Sequence, residues 1–280
     1  MPIKMIAMDI DGTLLDSHGQ MPEKNARAVA EAASRGIEIV LVTGRRFDFA
    51  RPIADALKCD LHLIVNNGAL IKSKNGETHQ QHLLPSDTAR KVLDATAEFR
   101  ASAGVVFDRP LERQLIFETV DWSDPRRGGY FRRNREYIAE VSPLTDCLNG
   151  EDPIQVLYTG GCRPIRSAMT QLSALPIAAG FTLALTEYES RDFSILDVLR
   201  LGVTKGVALK EWARRRGIAR EDVMAIGDNW NDREMLEFAG LPIVMANCVE
   251  ELKSFNWKMT SSNDEGGVAE AINTYALGKI

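Results

Sequence analysis

The chain has 280 residues and a net charge of −5, a balance that argues against general binding to nucleic acid. With 45% hydrophobic and 26% charged residues it has the composition of a globular protein with ample material for a core. No apolar run approaches the roughly 20 residues that a membrane-spanning helix needs. The N-terminus does not resemble a signal peptide, so the sequence predicts a cytoplasmic protein without a membrane partner.

Strand and helix patterns alternate at both ends of the chain. The predicted elements there are a strand at Ile3–Ile10, a helix at Glu23–Arg35, a strand at Ile37–Val42, a helix at Phe47–Leu57, a hairpin turning at Asn66–Gly68, a helix at Lys205–Arg216, a strand at Val223–Asp228, a helix at Asn231–Ala239, a strand at Leu241–Met245, a helix at Val249–Phe255, a strand at Trp257–Thr260 and a helix at Gly267–Ala276. Such alternation predicts an α/β fold, a doubly wound and Rossmann-like parallel sheet with helices on both faces.

The middle of the chain has a different pattern, in which strands outnumber helices. Predicted helices lie at Ser86–Arg100 and Pro164–Leu175, and predicted strands lie in GVVF, RQLIFETV, DPIQVLYT, FTLALTEY and FSILDV. This indicates an α+β domain inserted into the parallel-sheet domain. We expect residues 1–83 and 198–280 to form the core and residues 84–197 to form the insert. An arginine-rich run at 126–135 is most simply a solvated helix face or a source of ion pairs, and the alternative is contact with an acidic substrate.

Four polar motifs lie where predicted strands end or where a helix begins. They are Asp9-x-Asp11 in MIAMDIDGTLLD, Thr43-Gly44-Arg45, Thr204-Lys205-Gly206, and Gly227-Asp228-Asn229-Trp230-Asn231-Asp232. Ligands of open α/β sheets bind outside the carboxyl ends of the strands, so these motifs are expected to converge. Residues two apart in a strand face the same way, so Asp9 and Asp11 are expected to point toward one spot.

Convergence would bring together four carboxylates, those of Asp9, Asp11, Asp228 and Asp232. Two carboxylates a few ångströms apart repel by roughly 4 kcal/mol at an effective dielectric constant near 20. A bound cation relieves that repulsion, and oxygen ligands without nearby His or Cys favour a hard ion. A site with room for phosphate favours Mg²⁺ over Ca²⁺.

A phosphoryl group is the ligand that best suits Mg²⁺, Lys205 and the hydroxyl of Thr43 together, because its oxygens must be held and neutralised. Asp9, at the strand end, is placed to attack phosphorus and form an aspartyl-phosphate. Asp11 is placed to protonate the leaving oxygen and later to take a proton from water.

The motifs DIDGTLLD, VTGR, VTKG and GDNWND, in this order, resemble the four signature motifs of the haloacid dehalogenase (HAD) superfamily. More narrowly, the chain is similar to the Cof-type phosphatases, which carry a large α/β cap domain inserted after the second motif. NNGA, VTKGVALKEWARRRGI and the late NDEGGVAEAI fit the same resemblance. It implies a Mg²⁺-dependent phosphatase that acts on small phosphorylated metabolites, with sugar phosphates the first expectation.

The resemblance implies the roles of the acidic residues. Asp9 is expected to be the nucleophile and a metal ligand. Asp11 is expected to be the general acid and base, and to give Mg²⁺ its backbone carbonyl. Asp228 is expected to ligate Mg²⁺ directly, and Asp232 to act through a water on the metal or by orienting Lys205.

The same resemblance implies a phosphate-binding set. Thr43 and the backbone of Gly44 are expected to bind the phosphoryl group, Lys205 to neutralise it and Asn231 to touch it. Arg45 belongs to this set, although its partners vary within the family.

Two alternatives stay open. A phosphomutase or phosphotransferase would use the same chemistry and pass the phosphoryl group to a hydroxyl other than water. A non-catalytic sensor would bind a sugar phosphate without turning it over, and such a relative would be expected to lose Asp9, Asp11 or Lys205. All three residues are present.

Overall fold

The structure is a computed structural model that describes residues 2–279, apart from the side chain of Ser190, and it consists of two units. One unit combines the chain up to Gln81 with the chain from Thr204 onward, and the other is His82–Val203. The boundary expected after residue 197 falls inside a strand, Phe193–Arg200. That strand pairs along its whole length with the strand before it, which keeps residues 198–200 in the inserted unit.

Strands and helices follow one another through both units. The strands, in chain order, are β1 (Met5–Met8), β2 (Glu38–Val42), β3 (His62–Val65), β4 (Leu70–Ser73), β5 (Thr78–Gln81), β6 (Ala103–Val106), β7 (Leu115–Phe117), β8 (Ile138–Glu140), β9 (Gln155–Gly160), β10 (Phe181–Tyr188), β11 (Phe193–Arg200), β12 (Val223–Gly227), β13 (Leu241–Met245) and β14 (Lys258–Thr260). The α-helices are α1 (Glu23–Ser34), α2 (Phe47–Ala56), α3 (Ser86–Ala95), α4 (Gly128–Arg133), α5 (Cys162–Ala174), α6 (Lys205–Arg215), α7 (Arg233–Phe238), α8 (Glu250–Lys253) and α9 (Gly267–Ala271).

The first unit is built on an eight-stranded sheet with the order β14-β13-β12-β1-β2-β3-β4-β5. Pairing is parallel from β14 to β3, and β4 and β5 add an antiparallel edge. Every residue of β1 and β12 is buried, as expected for apolar strands covered on both faces. Met8 of β1 pairs with Leu41 of β2 and Ile226 of β12, which brings the ends of these three strands level. The predicted doubly wound α/β core is confirmed.

The inserted unit contains a six-stranded sheet with the order β10-β11-β9-β6-β7-β8. Only the β7–β8 pair of this sheet is parallel. Residues of α3 and α5 pack on one face, in a core that includes Val92, Leu172, Tyr158 and Leu196. The expected α+β character of the insert is therefore confirmed.

Several predicted elements differ from the structure. The helix expected at Ser86–Arg100 ends at Ala95, because Thr96 leaves helical geometry at φ −117° and the chain continues as a 3₁₀ turn. Two strands, β5 and β8, were not predicted, since they are short and their partly exposed residues lack an apolar pattern. The arginine-rich run forms α4 and its flanks, where Arg126 pairs with Asp192 at 2.6 Å.

Candidate active site

The predicted site residues follow three adjacent strands of the eight-stranded sheet. Asp9 comes directly after β1, Thr43 after β2 and Asp228 after β12, and β1 lies between the other two. Lys205 is the first residue of α6, whose N-cap, Thr204, accepts a backbone hydrogen bond at 3.2 Å. The sheet topology and one helix N-terminus thus bring residues from both ends of the chain to one place.

Lys205 is a buried cation held between two buried carboxylates. Its Nζ donates to Asp9 Oδ1 at 2.7 Å and to Asp232 Oδ1 at 2.6 Å. Only 2% of Lys205 is exposed, and Asp232 is fully buried. A charge is tolerated at such depth only when it is paired and hydrogen-bonded, and both conditions are met here.

Asp232 and Asp228 differ in how their oxygens are used. Asp232 Oδ2 accepts the backbone N–H groups of Asp228 and Asn229, each at 3.0 Å, so both of its oxygens are bound within the protein. Asp228 Oδ1 accepts the Thr13 hydroxyl at 2.6 Å. The second oxygens of Asp9 and Asp228 accept no hydrogen bond from the described residues. Asp232 therefore fixes the loop, while Asp9 and Asp228 keep oxygens for another partner.

Gly12 allows the turn after Asp9 to pass close to Asp228. Its φ is +81°, and a Cβ at this position would lie 2.3 Å from Asp228 Oδ2. A side chain here would therefore both strain the backbone and displace the carboxylate.

The site disfavours the ionised forms of two of its carboxyl groups, those of Asp9 and Asp228. Burial raises the pKa of Asp9 to about 7, because the attraction of Lys205 only partly offsets lost hydration and the charges of Asp232 and Asp11. Burial, with repulsion from Asp9 and Asp232, also raises the pKa of Asp228 well above its usual range. Burial tends to lower the pKa of Lys205, but Asp232 and Asp9 outweigh it and hold that pKa above its ordinary value.

These acids fit a metal ion. Asp9, Asp228 and Asp232 each offer a carboxylate oxygen, and the three oxygens lie within 4.8 Å of one another. A set of oxygen ligands suits a hard divalent cation. A cation there would also compensate the burial and repulsion that raise the pKa values of Asp9 and Asp228.

Asp11 lies outside this group. β1 ends at Met8, so strand alternation does not extend to Asp11, and its carboxylate is not among the three whose oxygens lie within 4.8 Å of one another. Arg45 holds the Asp11 carboxylate, with Nε donating to Oδ2 at 2.7 Å and Nη2 donating to Oδ1 at 2.6 Å. Arg45, expected in the phosphate-binding set, is thus paired with the predicted general acid.

The remaining members of the predicted phosphate-binding set lie in the same region. Thr43 is almost fully buried, and its hydroxyl accepts the Arg45 N–H at 3.1 Å. Asn231 Nδ2 donates to Asn67 Oδ1 at 3.3 Å. The sequence did not indicate Asn67 as a site residue, although a polar pair directly after the apolar run of β3 is the same kind of pattern that marked the other strand ends.

Fold and site together define a class of α/β protein in which a buried lysine bridges two buried aspartates at the carboxyl ends of the central strands. The family model for haloacid dehalogenase-like hydrolases matches residues 6–272, so the chain belongs to that family. The predicted enzyme class, a phosphatase of this family, is confirmed by the family match and by relatives named as phosphatases.

Three known proteins show the extent of the similarity. The chain is 27% identical over 275 residues to the 5-amino-6-(5-phospho-D-ribitylamino)uracil phosphatase YcsE of Bacillus subtilis, covering 98% of this chain and 96% of the relative. It is 28% identical to the HMP-PP phosphatase of Serratia proteamaculans, over 90% of this chain and 86% of the relative. The crystal structure of a haloacid dehalogenase-like hydrolase from Bacteroides thetaiotaomicron aligns with a TM-score of 0.79 and 25% identity, covering 97% of this chain and 99% of that one.

Among residues 2–279, none of the helices combines the length and apolar character needed to cross a membrane.

Proposed function

We propose that this chain is a Mg²⁺-dependent phosphatase that hydrolyses small phosphorylated metabolites through an aspartyl-phosphate on Asp9. The observation that carries the proposal is the contact of Lys205 Nζ with Asp9 and Asp232, beside the carboxylate of Asp228. One buried lysine among three buried acids leaves negative charge uncompensated. A divalent cation would compensate that charge, and the metal and the lysine would then offer two positive groups to the oxygens of a phosphoryl group.

Asp9 and Asp228 would hold Mg²⁺ by their carboxylates, and Asp11 by its backbone carbonyl. Asp232 would support the ion indirectly, since both of its oxygens already accept hydrogen bonds from the protein. When bound, the metal supplies positive charge that neutralises phosphoryl oxygens and keeps Asp9 ionised.

Asp9 would act as the nucleophile. Its carboxylate oxygen forms a bond to phosphorus while the bond from phosphorus to the leaving oxygen breaks, and Asp11 gives that oxygen its proton. In the second half-reaction Asp11 takes a proton from water, the water oxygen bonds to phosphorus, and the bond to Asp9 breaks. Phosphate leaves and both carboxyl groups return to their starting forms.

Lys205, Thr43 and Asn231 would hold the phosphoryl oxygens with the backbone N–H of Gly44. Lys205 gives a full charge from within hydrogen-bonding distance of the nucleophile, 2.7 Å from Asp9 Oδ1. Charge placed where negative charge develops in the transition state is the main source of catalysis in phosphoryl transfer.

The substrate is proposed to be a small metabolite, with sugar phosphates first. Two relatives are named for small phosphorylated compounds, one of which carries a phosphorylated ribityl chain. The net charge of −5 is unfavourable for nucleic-acid partners. We place the activity in the cytoplasm. A phosphomutase or phosphotransferase would use the same residues, and a sensor would keep binding without turnover.

The test is phosphate release from a broad panel of phosphorylated metabolites, with Mg²⁺ and with EDTA, by the wild type and by Asp9→Asn. The proposal expects metal-dependent release from one chemical group of substrates and none from the variant. Binding of sugar phosphates without release would favour the sensor. Transfer to an added hydroxyl acceptor in preference to water would favour the transferase.

A further inference from the structure

The buried turn Asn66–Gly68, between β3 and β4, binds the loop that follows β2. Asn66 N–H donates to Arg45 O at 2.9 Å, and Asn67 N–H donates to Thr43 O at 3.1 Å. The side-chain amide of Asn67 also lies against Gly44, with its Oδ1 3.0 Å from the position that a Cβ of Gly44 would occupy. The turn therefore contacts the Thr43–Gly44 backbone, the proposed cradle for phosphoryl oxygens, from two directions.

The same turn contacts the start of α6. At Gly68, where φ is +107°, a Cβ would lie 2.3 Å from Thr204 O. Thr204 is the N-cap residue of α6 and directly precedes Lys205. Only a residue without a side chain allows the turn to pack this closely on the segment that carries Lys205.

A third contact reaches the segment after β12. Asn231 Nδ2 donates to Asn67 Oδ1 at 3.3 Å, and only 2% of Asn67 is exposed. Asn67 thus joins Gly44 and Asn231, two members of the proposed phosphate-binding set that are far apart in the chain.

Asn66 and Asn67 adopt left-handed backbone conformations in succession, with φ values of 51° and 54°. Such conformations are unfavourable for residues other than glycine, although asparagine tolerates them best. They persist where surrounding contacts hold them, and they concentrate at functional sites.

From these contacts we infer that Asn67 is a positioning residue, which orients the Asn231 amide and the Thr43–Gly44 backbone for the phosphoryl group. The inference rests on the proposed function, because it assigns Asn67 to the phosphate-binding side of that site. Asn67 acts through Asn231 and Gly44 in this assignment.

Asn67→Gly tests the assignment, because glycine adopts the same backbone conformation and removes only the amide. Asn256→Gly is the matched control: Asn256 is also left-handed, at φ 54°, but is exposed. Two quantities are measured: the dissociation constant of inorganic phosphate, by calorimetry in the presence of Mg²⁺, and kcat/KM for the best substrate. They are compared for the wild type, both glycine variants, Asn231→Ala and the Asn67→Gly/Asn231→Ala double variant. Asn67→Ser is a second replacement, with the same expected direction, should the glycine variant fold poorly.

Asn67→Gly is expected to weaken phosphate binding and lower kcat/KM by about tenfold, the scale of one hydrogen bond to a charged ligand. Asn256→Gly is expected to stay within about twofold of the wild type. The double variant should lose less than the product of the two single losses, because part of the Asn67 effect passes through Asn231, and a merely structural role would not produce this coupling. Wild-type affinity in Asn67→Gly, or losses that multiply in the double variant, would overturn the inference. A wild type without phosphatase activity would instead count against the proposed function, while the calorimetric comparison would still decide the role of Asn67.

Discussion

Arg45 donates two hydrogen bonds to the carboxylate of Asp11, at 2.7 and 2.6 Å. Both side chains are about one-third exposed, so the pair lies at the edge of the site and not in its buried centre. Paired, bidentate geometry fixes the orientation of a carboxylate more strongly than a single contact does. Both Asp11 oxygens accept hydrogen bonds from Arg45 in this arrangement, so one of these contacts must open if Asp11 is to carry a proton as the general acid.

Asp11→Asn is expected to lower kcat by about 10²–10⁴-fold on an alkyl phosphate, whose leaving oxygen needs a proton. The loss should be much smaller on 4-nitrophenyl phosphate, whose leaving oxygen departs without one. Steady-state rates on the two esters measure this difference. Equal losses on both would show that Asp11 does not protonate the leaving group.

Arg45→Lys is expected to reduce kcat by about tenfold, because a lysine cannot form the bidentate contact. Arg51→Lys is the control, since Arg51 forms an exposed pair with Asp55 at 3.6 Å on the helix that follows. It should leave kcat within about twofold of the wild type. The losses in kcat caused by Arg45→Lys and Asp11→Asn should not be additive in the double variant. Additive losses would show that Arg45 does not act through Asp11.

Asp228→Asn is expected to stabilise the metal-free protein at alkaline pH. A carboxyl group whose pKa is higher in the folded than in the unfolded protein contributes stability at low pH that is lost as the pH rises through the folded-state pKa. The raised pKa values of Asp9, about 7, and Asp228 therefore predict that metal-free wild type becomes less stable between about pH 4 and pH 8. The amide removes one of these charges and should increase the free energy of unfolding near pH 8, and by much less near pH 4.

Urea unfolding of both proteins at the two pH values, with EDTA, measures the effect. Repeating it with Mg²⁺ should reverse the order, because the ion stabilises only the protein that binds it. A pH-independent difference between variant and wild type would contradict the assigned cause.

Gly12→Ala is expected to damage the site more than the fold. The backbone at φ +81° disfavours any side chain, and the added Cβ would meet Asp228 Oδ2. Gly19→Ala is the control, because Gly19 has φ +74° and no atom within 4 Å of its Cβ position. Both changes should lower stability by about 1 kcal/mol through the backbone, but only Gly12→Ala should weaken Mg²⁺ binding in a titration. Equal Mg²⁺ affinity in the two variants would show that Gly12 is not required for metal binding.

The sequence predicted the elements that place the site better than it predicted the side chains within it. Asp9 and Asp228 directly follow apolar strands, and Lys205 directly follows the helix N-cap Thr204. Local patterns were therefore enough to predict that these residues meet at the carboxyl ends of the strands. The pairing of Asp11 with Arg45 could not be predicted in this way, because both residues lie in loops where strand periodicity no longer fixes side-chain direction. Asn67 was predicted only as part of a turn, since its contacts with Gly44 and Asn231 depend on the packing of three separate segments. The polar strand β5 lacks the apolar pattern that marks the others.

The central claim is that Asp9 carries the phosphoryl group during turnover. The most direct measurement is acid quenching during reaction with the best substrate of the panel, followed by mass spectrometry of peptides from the wild type and from Asp9→Asn. The proposed chemistry predicts a phosphorylated peptide containing Asp9 in the wild type, dependent on Mg²⁺, and none in the variant, which should also release no phosphate. Phosphate release with the label on another residue, or undiminished release by Asp9→Asn, would contradict it.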